Sequence, residues 1–340
     1  MTGRRISLLW IAAALCLGAQ NPRFQSRTAE VLVPVSVVAK NGKPVEGLTA
    51  QDFVVTDDDV PQKARLFTSS DAMPLPVDAV IVIEADDQTA LAKIKKTASL
   101  VSSYITNDMG TVPPSVAAVV TVADRIRIAQ SFTDDPGTLG DTFAKITDDG
   151  NGNAIRSIDG VNLACDLLAA RKEPARRLIV LISESRDQGS KAHFADVVVK
   201  AQKENVIIYT ISYSAFTTAF TQKASDQPPP PDEPGLYDPN DKGGMNLLAL
   251  PMLLAQLSHV NVSEAFAQGT GGSHAKFTTL RGLETQLITI GNEVHNRYTL
   301  SFTPPQKQPA GYHKLSVSVK DAKSHAWQVH ARPGYWATSP

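Results

Sequence analysis

Cysteine is almost absent from this chain: Cys16 and Cys165 are the two in 340 residues. Cys16 lies in an N-terminal apolar stretch expected to be removed, which leaves Cys165 without an intrachain partner. A disulfide framework is thereby excluded, and core packing has to hold the fold. An excess of one charge is missing too. Basic residues number 33 and acidic ones 34, for a formal net charge of -1. Nucleic-acid binders and anionic-membrane binders carry a basic surplus, and no basic block with interleaved aromatics occurs here. No apolar run after residue 19 is long enough for a membrane helix. The seven histidines form no HExxH pair. No glycine-rich loop follows a strand, and neither Ser183 nor Ser185 sits in a nucleophile elbow.

What is present begins with a leader. Arg4 and Arg5 form a positive n-region, 6–17 an apolar h-region, and Gly18 and Ala19 a small-residue cleavage site. This pattern predicts a signal peptide over 1–19 and an exported product, periplasmic or secreted. Lipidation of Cys16 is not expected, because the bulky Leu15 stands where a small residue is needed.

Three compositional zones follow. In 25–72 the segments 30–38, 53–56 and 64–67 read as strands, separated by the turn Asn41-Gly42-Lys43-Pro44 and by Asp57-Asp58-Asp59. The Asp triplet reads as a solvated turn rather than a calcium loop, since no further acidic ligand is near in sequence. Over 75–296 strand and helix alternate, the signature of βαβ units and a parallel sheet. Strands are predicted at 78–84, 116–122, 178–183 and 206–213, with 125–131 folding back on the second as a hairpin.

Helical stripes follow Leu91, Ile94, Ala98, Val101 and Ile105; Ile158, Val161, Cys165 and Leu168; Phe194, Val197, Val198 and Ala201; and Leu280, Leu283, Leu287, Ile290 and Val294. Cys165 on its stripe is a small buried hydrophobe. His193 and His295 fall on predicted helices as surface residues. A proline-rich tract over 216–244 reads as an exposed mobile insertion. In 297–338 the chain returns to strands at 298–303, 314–320 and 327–332. The N-terminal strands are too few for a core of their own. Both ends are therefore expected to meet in one composite β-sandwich, with the α/β domain inserted between them.

The segment PVDAVIVIEADDQT, 76–89, is the most informative. A continuous apolar run over 79–83 delivers Glu84, Asp86 and Asp87 to a strand-to-helix turn, the place where open α/β sheets put ligands. Together with RRLIVLISESRD, NVIIYTISY, AFAQGTGGSHAKF, RYTLSFTP and VHARPGYWA, it resembles the von Willebrand factor A-type domain proteins, specifically the exported acidobacterial type with a flanking β region. That resemblance implies a doubly wound, Rossmann-like α/β sheet. In metal-binding members it also implies an adhesion site built from Asp-x-Ser-x-Ser, a Thr from a middle loop and a later Asp.

This chain departs at each of those positions. Glu84 stands for the first Asp, Asp86 and Gln88 for the two Ser, Asn153 for the Thr, and Glu184 for the later Asp. A magnesium octahedron wants short, hard oxygen ligands on rigid strand ends, and these side chains are the wrong length. The implied site is a degenerate one. The expected partner-binding rim comprises Glu84, Asp86, Asp87, Gln88, Asn153, Glu184, Ser185 and Asp187. If a cation binds, Glu84, Asp86 and Glu184 are its expected ligands. Otherwise these three carboxylates repel one another and one takes up a proton. The loop 148–153 is no EF-hand, because Ala154 and Gly160 fall where Gly and Glu are required.

Three functions stay open at this point. One is an exported protein-interaction module, for adhesion or scaffolding, with no working magnesium site, no cofactor and no catalytic residue. The second is a divalent-cation-dependent adhesion module using the rebuilt acidic site with Ca²⁺ or Mg²⁺. The third is a metal-dependent phosphohydrolase in which Asp86 attacks and Lys95 or Arg186 neutralises charge. The partner in the first is another protein.

Overall fold

A computed structural model describes residues 30–67, 75–106, 113–148, 155–184, 186–213, 261–305 and 309–337. The leader, the proline-rich tract, Asn153 and Ser185 lie outside these residues. No helix among those described is long and apolar enough to cross a membrane.

The first strands are β1 (Val31–Val38), β2 (Phe53–Asp57), β3 (Val60–Gln62) and β4 (Arg65–Phe67). The middle of the chain supplies β5 (Val77–Glu84), β6 (Val116–Val122), β7 (Ile126–Thr133), β8 (Arg176–Ser183), β9 (Ile207–Tyr213) and β10 (His274–Phe277). Its helices are α1 (Gln88–Ile94), α2 (Pro136–Lys145), α3 (Ser157–Ala170), α4 (Phe194–Lys203), α5 (Val262–Thr270) and α6 (Leu280–His295). An irregular helical stretch over 95–105 prolongs α1. The chain ends in β11 (Tyr298–Phe302), β12 (Gly311–Val319), β13 (Gln328–Ala331) and β14 (Gly334–Ala337).

β5 to β10 form one six-stranded sheet in the order β10-β9-β8-β5-β6-β7. All neighbours run parallel except β7, which folds back antiparallel on β6. This is the doubly wound order, with the switch between β5 and β8. Both faces of β5 are covered, which is why its sequence is one unbroken apolar run. Val77, Ala79, Ile81 and Ile83 pack with α1, its prolongation, α2 and α6. Val80 and Val82 face the other way, into α3, α4 and α5. The four stripes read from the sequence all point into these two layers; of their residues only Leu280 is not buried. Cys165 is fully buried, and burial pushes its thiol up to about 12.

Three elements carry little sequence signal. β10 is a four-residue polar edge strand, HAKF, and α2 and α5 are short helices following loops. One buried charge also escaped notice. Asp78, the second residue of β5, is 1% exposed and is held by the Arg171 guanidinium, which stacks on Phe132.

The two chain ends do meet. One four-stranded sheet has the order β13-β1-β11-β4, a second the order β14-β12-β2-β3. Their facing side chains, among them Val33, Val35, Phe53, Val55, Leu300, Phe302, Leu315 and Tyr335, make one shared core. β2 and β3 are joined by Asp58 and Asp59, both at positive φ (49° and 64°). Two such residues make the tight hairpin loop whose twist matches antiparallel strands, and Asp tolerates that conformation. The Asp triplet is thus a turn, as expected, but not a fully solvated one: Asp57 is 4% exposed.

Candidate functional site

The carboxyl edge of the six-stranded sheet gathers the acidic residues by simple topology. β5 and β8 are adjacent and parallel, so residues just beyond them emerge side by side. Glu84, the last residue of β5, is 1% exposed. Its Oε2 accepts the backbone N–H of Glu184 at 2.7 Å, across the switch point. Its Oε1 and the nearby Tyr213 hydroxyl are buried, and neither makes a well-formed hydrogen bond, although each lies close enough to feel the other.

Burial, followed by the interaction with Asp86, pushes the Glu84 carboxyl up to about 9, against weaker pulls from the Glu184 N–H and Tyr213. Glu184 is half-buried. Its carboxyl is raised by that burial and by the charges of Asp86 and Asp87, with Arg186 opposing. Tyr213 is raised strongly, first by burial and then by Glu84. The edge is therefore a site of mutually opposed acids, one of which is neutral at pH 7.

The other expected rim residues do different work. Asp87 caps α1: its Oδ1 accepts the N–H groups of Thr89 (2.7 Å) and Ala90 (2.9 Å). Gln88 is the first helical residue and is exposed. Asp187 reaches α3, where its carboxylate accepts the Ile158 N–H at 2.9 Å, and it also accepts the hydroxyl of Ser190 in its own loop at 2.7 Å. Paired backbone hydrogen bonds between Ile155 and Gln188, at 2.8 and 2.7 Å, tie the two loops together. Asn153 and Ser185 lie outside the described residues. Replacing Asp87 with Ala should cost about 1 kcal/mol through the lost helix cap. Urea unfolding of the variant measures this directly.

Arg156 and Asp159, which sequence reasoning missed, complete the loop scaffold. Asp159 pairs with Arg156 at 2.6 Å and accepts the N–H groups of Lys191 (3.0 Å) and Ala192 (2.8 Å). Burial pushes its carboxyl up, but those donors together hold it below the usual range. The only prior signal was an acidic residue in the first turn of α3. Tyr213 was also missed as a site residue, although it ends a strand that the sequence marks clearly.

No protein-family model matches the chain, and no curated protein matches it. Solved structures do. Proximal thread matrix protein 1 from the mussel byssus is similar at 12% identity, over 64% of this chain and 47% of its own, with a TM-score of 0.43. The chain thus spans about half the length of that protein. The VWA domain of SpRpn10 is similar at 15% identity, over 63% of this chain and 94% of that one, with a TM-score of 0.41. An aerotolerance-related membrane protein from Bacteroides fragilis is similar at 13% identity, over 64% and 98%, with a TM-score of 0.41. These likenesses concern the fold alone. The sheet order, the antiparallel edge strand and the two helical layers make the middle unit a doubly wound, Rossmann-like α/β fold.

Proposed function

We propose that the chain is an exported protein-interaction module, for adhesion or scaffolding, that binds another protein through the carboxyl edge of its six-stranded sheet. It does so without magnesium and without catalysis. The contact surface runs from Glu84 to Gln88, across the loop 148–153, to 184–187. Export is supported by the leader pattern alone. Domain limits of 25–72, 75–296 and 297–338 go with this reading.

One observation carries the metal-free reading: three of the acidic side chains of this edge are spent on the protein itself. Glu84 is buried and accepts a backbone N–H, Asp87 caps a helix, and Asp187 holds a loop. Among the described residues, the trio of metal-type side chains with ligand atoms all within 4.8 Å of one another lies elsewhere. Glu84, Asp86 and Glu184 do not make such a trio among the described residues, which supports the reading without a compact octahedral ion. Against catalysis, the Ser183 hydroxyl donates to the Glu184 carbonyl at 2.8 Å and so is not presented as a nucleophile.

Glu84 and Glu184 are each raised by burial first and by Asp86 next, and this favours a second reading, in which a larger cation such as Ca²⁺ relieves the crowding of carboxylates around Asp86. Calorimetry with Mg²⁺, Mn²⁺ and Ca²⁺ separates the two. The expected result is no saturable heat that depends on this edge. A heat abolished by Asp86→Ala and by Glu184→Ala would install the cation-dependent reading in its place.

A further inference from the structure

The acidic turn in the β-sandwich has a partner that sequence proximity conceals. His313, on β12, lies 255 residues from Asp58 yet places Nδ1 at 2.7 Å from Asp58 Oδ2. Asp57, Asp58 and His313 each bring one ligand atom within 4.8 Å of the other two. Asp57 and His313 are each 4% exposed.

The protonation of His313 is constrained from its far side. Nε2 lies 2.9 Å from the carbonyl of Pro309. A carbonyl only accepts, so Nε2 carries the hydrogen. In the neutral ring Nδ1 then has a bare lone pair, and that lone pair faces a carboxylate oxygen. Two acceptors at 2.7 Å repel, so either Nδ1 carries a second proton and donates to Asp58, or the two atoms part by a few tenths of an ångström and share a cation. A ring nitrogen aimed at carboxylates, with the other N–H anchored on a backbone carbonyl, is how metal-ligating histidines are held.

The remaining carboxylate oxygens are anchored likewise. Asp58 Oδ1 accepts the Lys314 N–H at 2.8 Å, and Asp57 Oδ2 accepts the Tyr335 hydroxyl at 3.0 Å. Each ligand is thus oriented by a donor or acceptor outside the trio, on β12, β14 or the turn before β12. The Lys314 ammonium is drawn off to Asp59 at 3.2 Å.

We propose that Asp57, Asp58 and His313 form a site for one borderline divalent cation, of the zinc or cobalt class, that clasps the β2–β3 hairpin to β12. One imidazole and two carboxylates suit such ions, whereas Mg²⁺ prefers an all-oxygen shell. The site lies on a different sheet from the acidic edge and does not depend on the function proposed for it.

The test is titration of the full chain with ZnCl₂ and CoCl₂, followed by calorimetry and, for Co²⁺, visible absorption. One equivalent should bind, with a Co²⁺ spectrum showing a nitrogen ligand. Affinity should fall at least about tenfold in His313→Gln and in Asp58→Asn. It should be unchanged in Asp86→Asn, which reports on the acidic edge. Circular dichroism checks that each variant folds. Should His313→Gln unfold, Asp58→Asn, in which the imidazole remains, decides alone. Absence of saturable binding at millimolar Zn²⁺ would overturn the proposal. So would binding lost in Asp86→Asn but kept in the other two, or a His313 ring that NMR shows doubly protonated and unmoved by Zn²⁺.

Discussion

Glu84→Gln should make the protein more stable at neutral pH, which is unusual for a change at a strand end facing a candidate site. The reasoning is linkage. In the unfolded chain this carboxyl titrates near 4.5, and in the folded one near 9. The folded form therefore holds its proton more tightly. Its contribution is fully present below pH 4.5 and is lost progressively as pH rises through about 9. At pH 7 the difference amounts to roughly 3 kcal/mol as an upper bound, from 1.36 kcal/mol for each unit between 4.5 and 7.

Glutamine keeps the shape and the acceptor for the Glu184 N–H but removes the ionisation. The variant should match the unchanged chain near pH 4, exceed it at pH 7 and exceed it further at pH 8. Urea unfolding at these three values tests the claim. A variant that is less stable at every pH would mean that Glu84 works as a charged ligand, and the neutral-acid account of the edge would fall.

The second large effect is expected far from any charge. Gly271 and Gly272 end α5, and both donate their N–H groups to the Ala267 carbonyl at 3.0 Å. Gly271 sits at φ 80°, the usual left-handed helix end. Gly272 is needed for a different reason. A methyl there would run into the Ile208 carbonyl oxygen of β9 and come within 2.7 Å of its carbon. Both are backbone atoms of an interior strand and cannot swing aside.

Gly272→Ala should therefore cost about 3 kcal/mol or more, at the upper end of overpacking effects. Gly140→Ala in α2, where the methyl meets nothing within 4 Å, should instead stabilise by roughly 0.5–1 kcal/mol. Chemical denaturation of the pair checks both signs at once. Equal effects would show that packing between α5 and β9 is looser than described.

Legibility in the sequence followed the physics of each feature. β5 could be read because burial on both faces demands an unbroken apolar run, and β12 and the first half of β1 because burial on one face imposes alternation. The helical stripes could be read because each is buried along one side. β10 could not, since a short edge strand needs no apolar side chains. At the acidic edge, the emergence of Glu84 and Glu184 at neighbouring strand ends follows from parallel topology, which the sequence pattern implies. The commitment of Asp87 to a cap and of Asp187 to α3 does not, because one carboxylate looks like another until its donors are seen. Arg156 with Asp159, Asp78 with Arg171, and Asp58 with His313 were hidden for the same reason: each pairing is decided by tertiary geometry, and the last spans 255 residues.

β1 sits between β13 and β11, both of which come from the far end of the chain. The Tyr298 hydroxyl that donates to the Val45 carbonyl reaches back 253 residues. A ribosome adding 5–20 residues per second leaves β1 without its neighbours for roughly ten to fifty seconds. During that interval a strand bearing Val31, Val33, Val35 and Val37 has both edges open, which is the condition that invites pairing with other chains. β1, the first strand among the described residues, is among the last to be closed, so the protein's yield should depend on a holding chaperone more than its final stability would suggest.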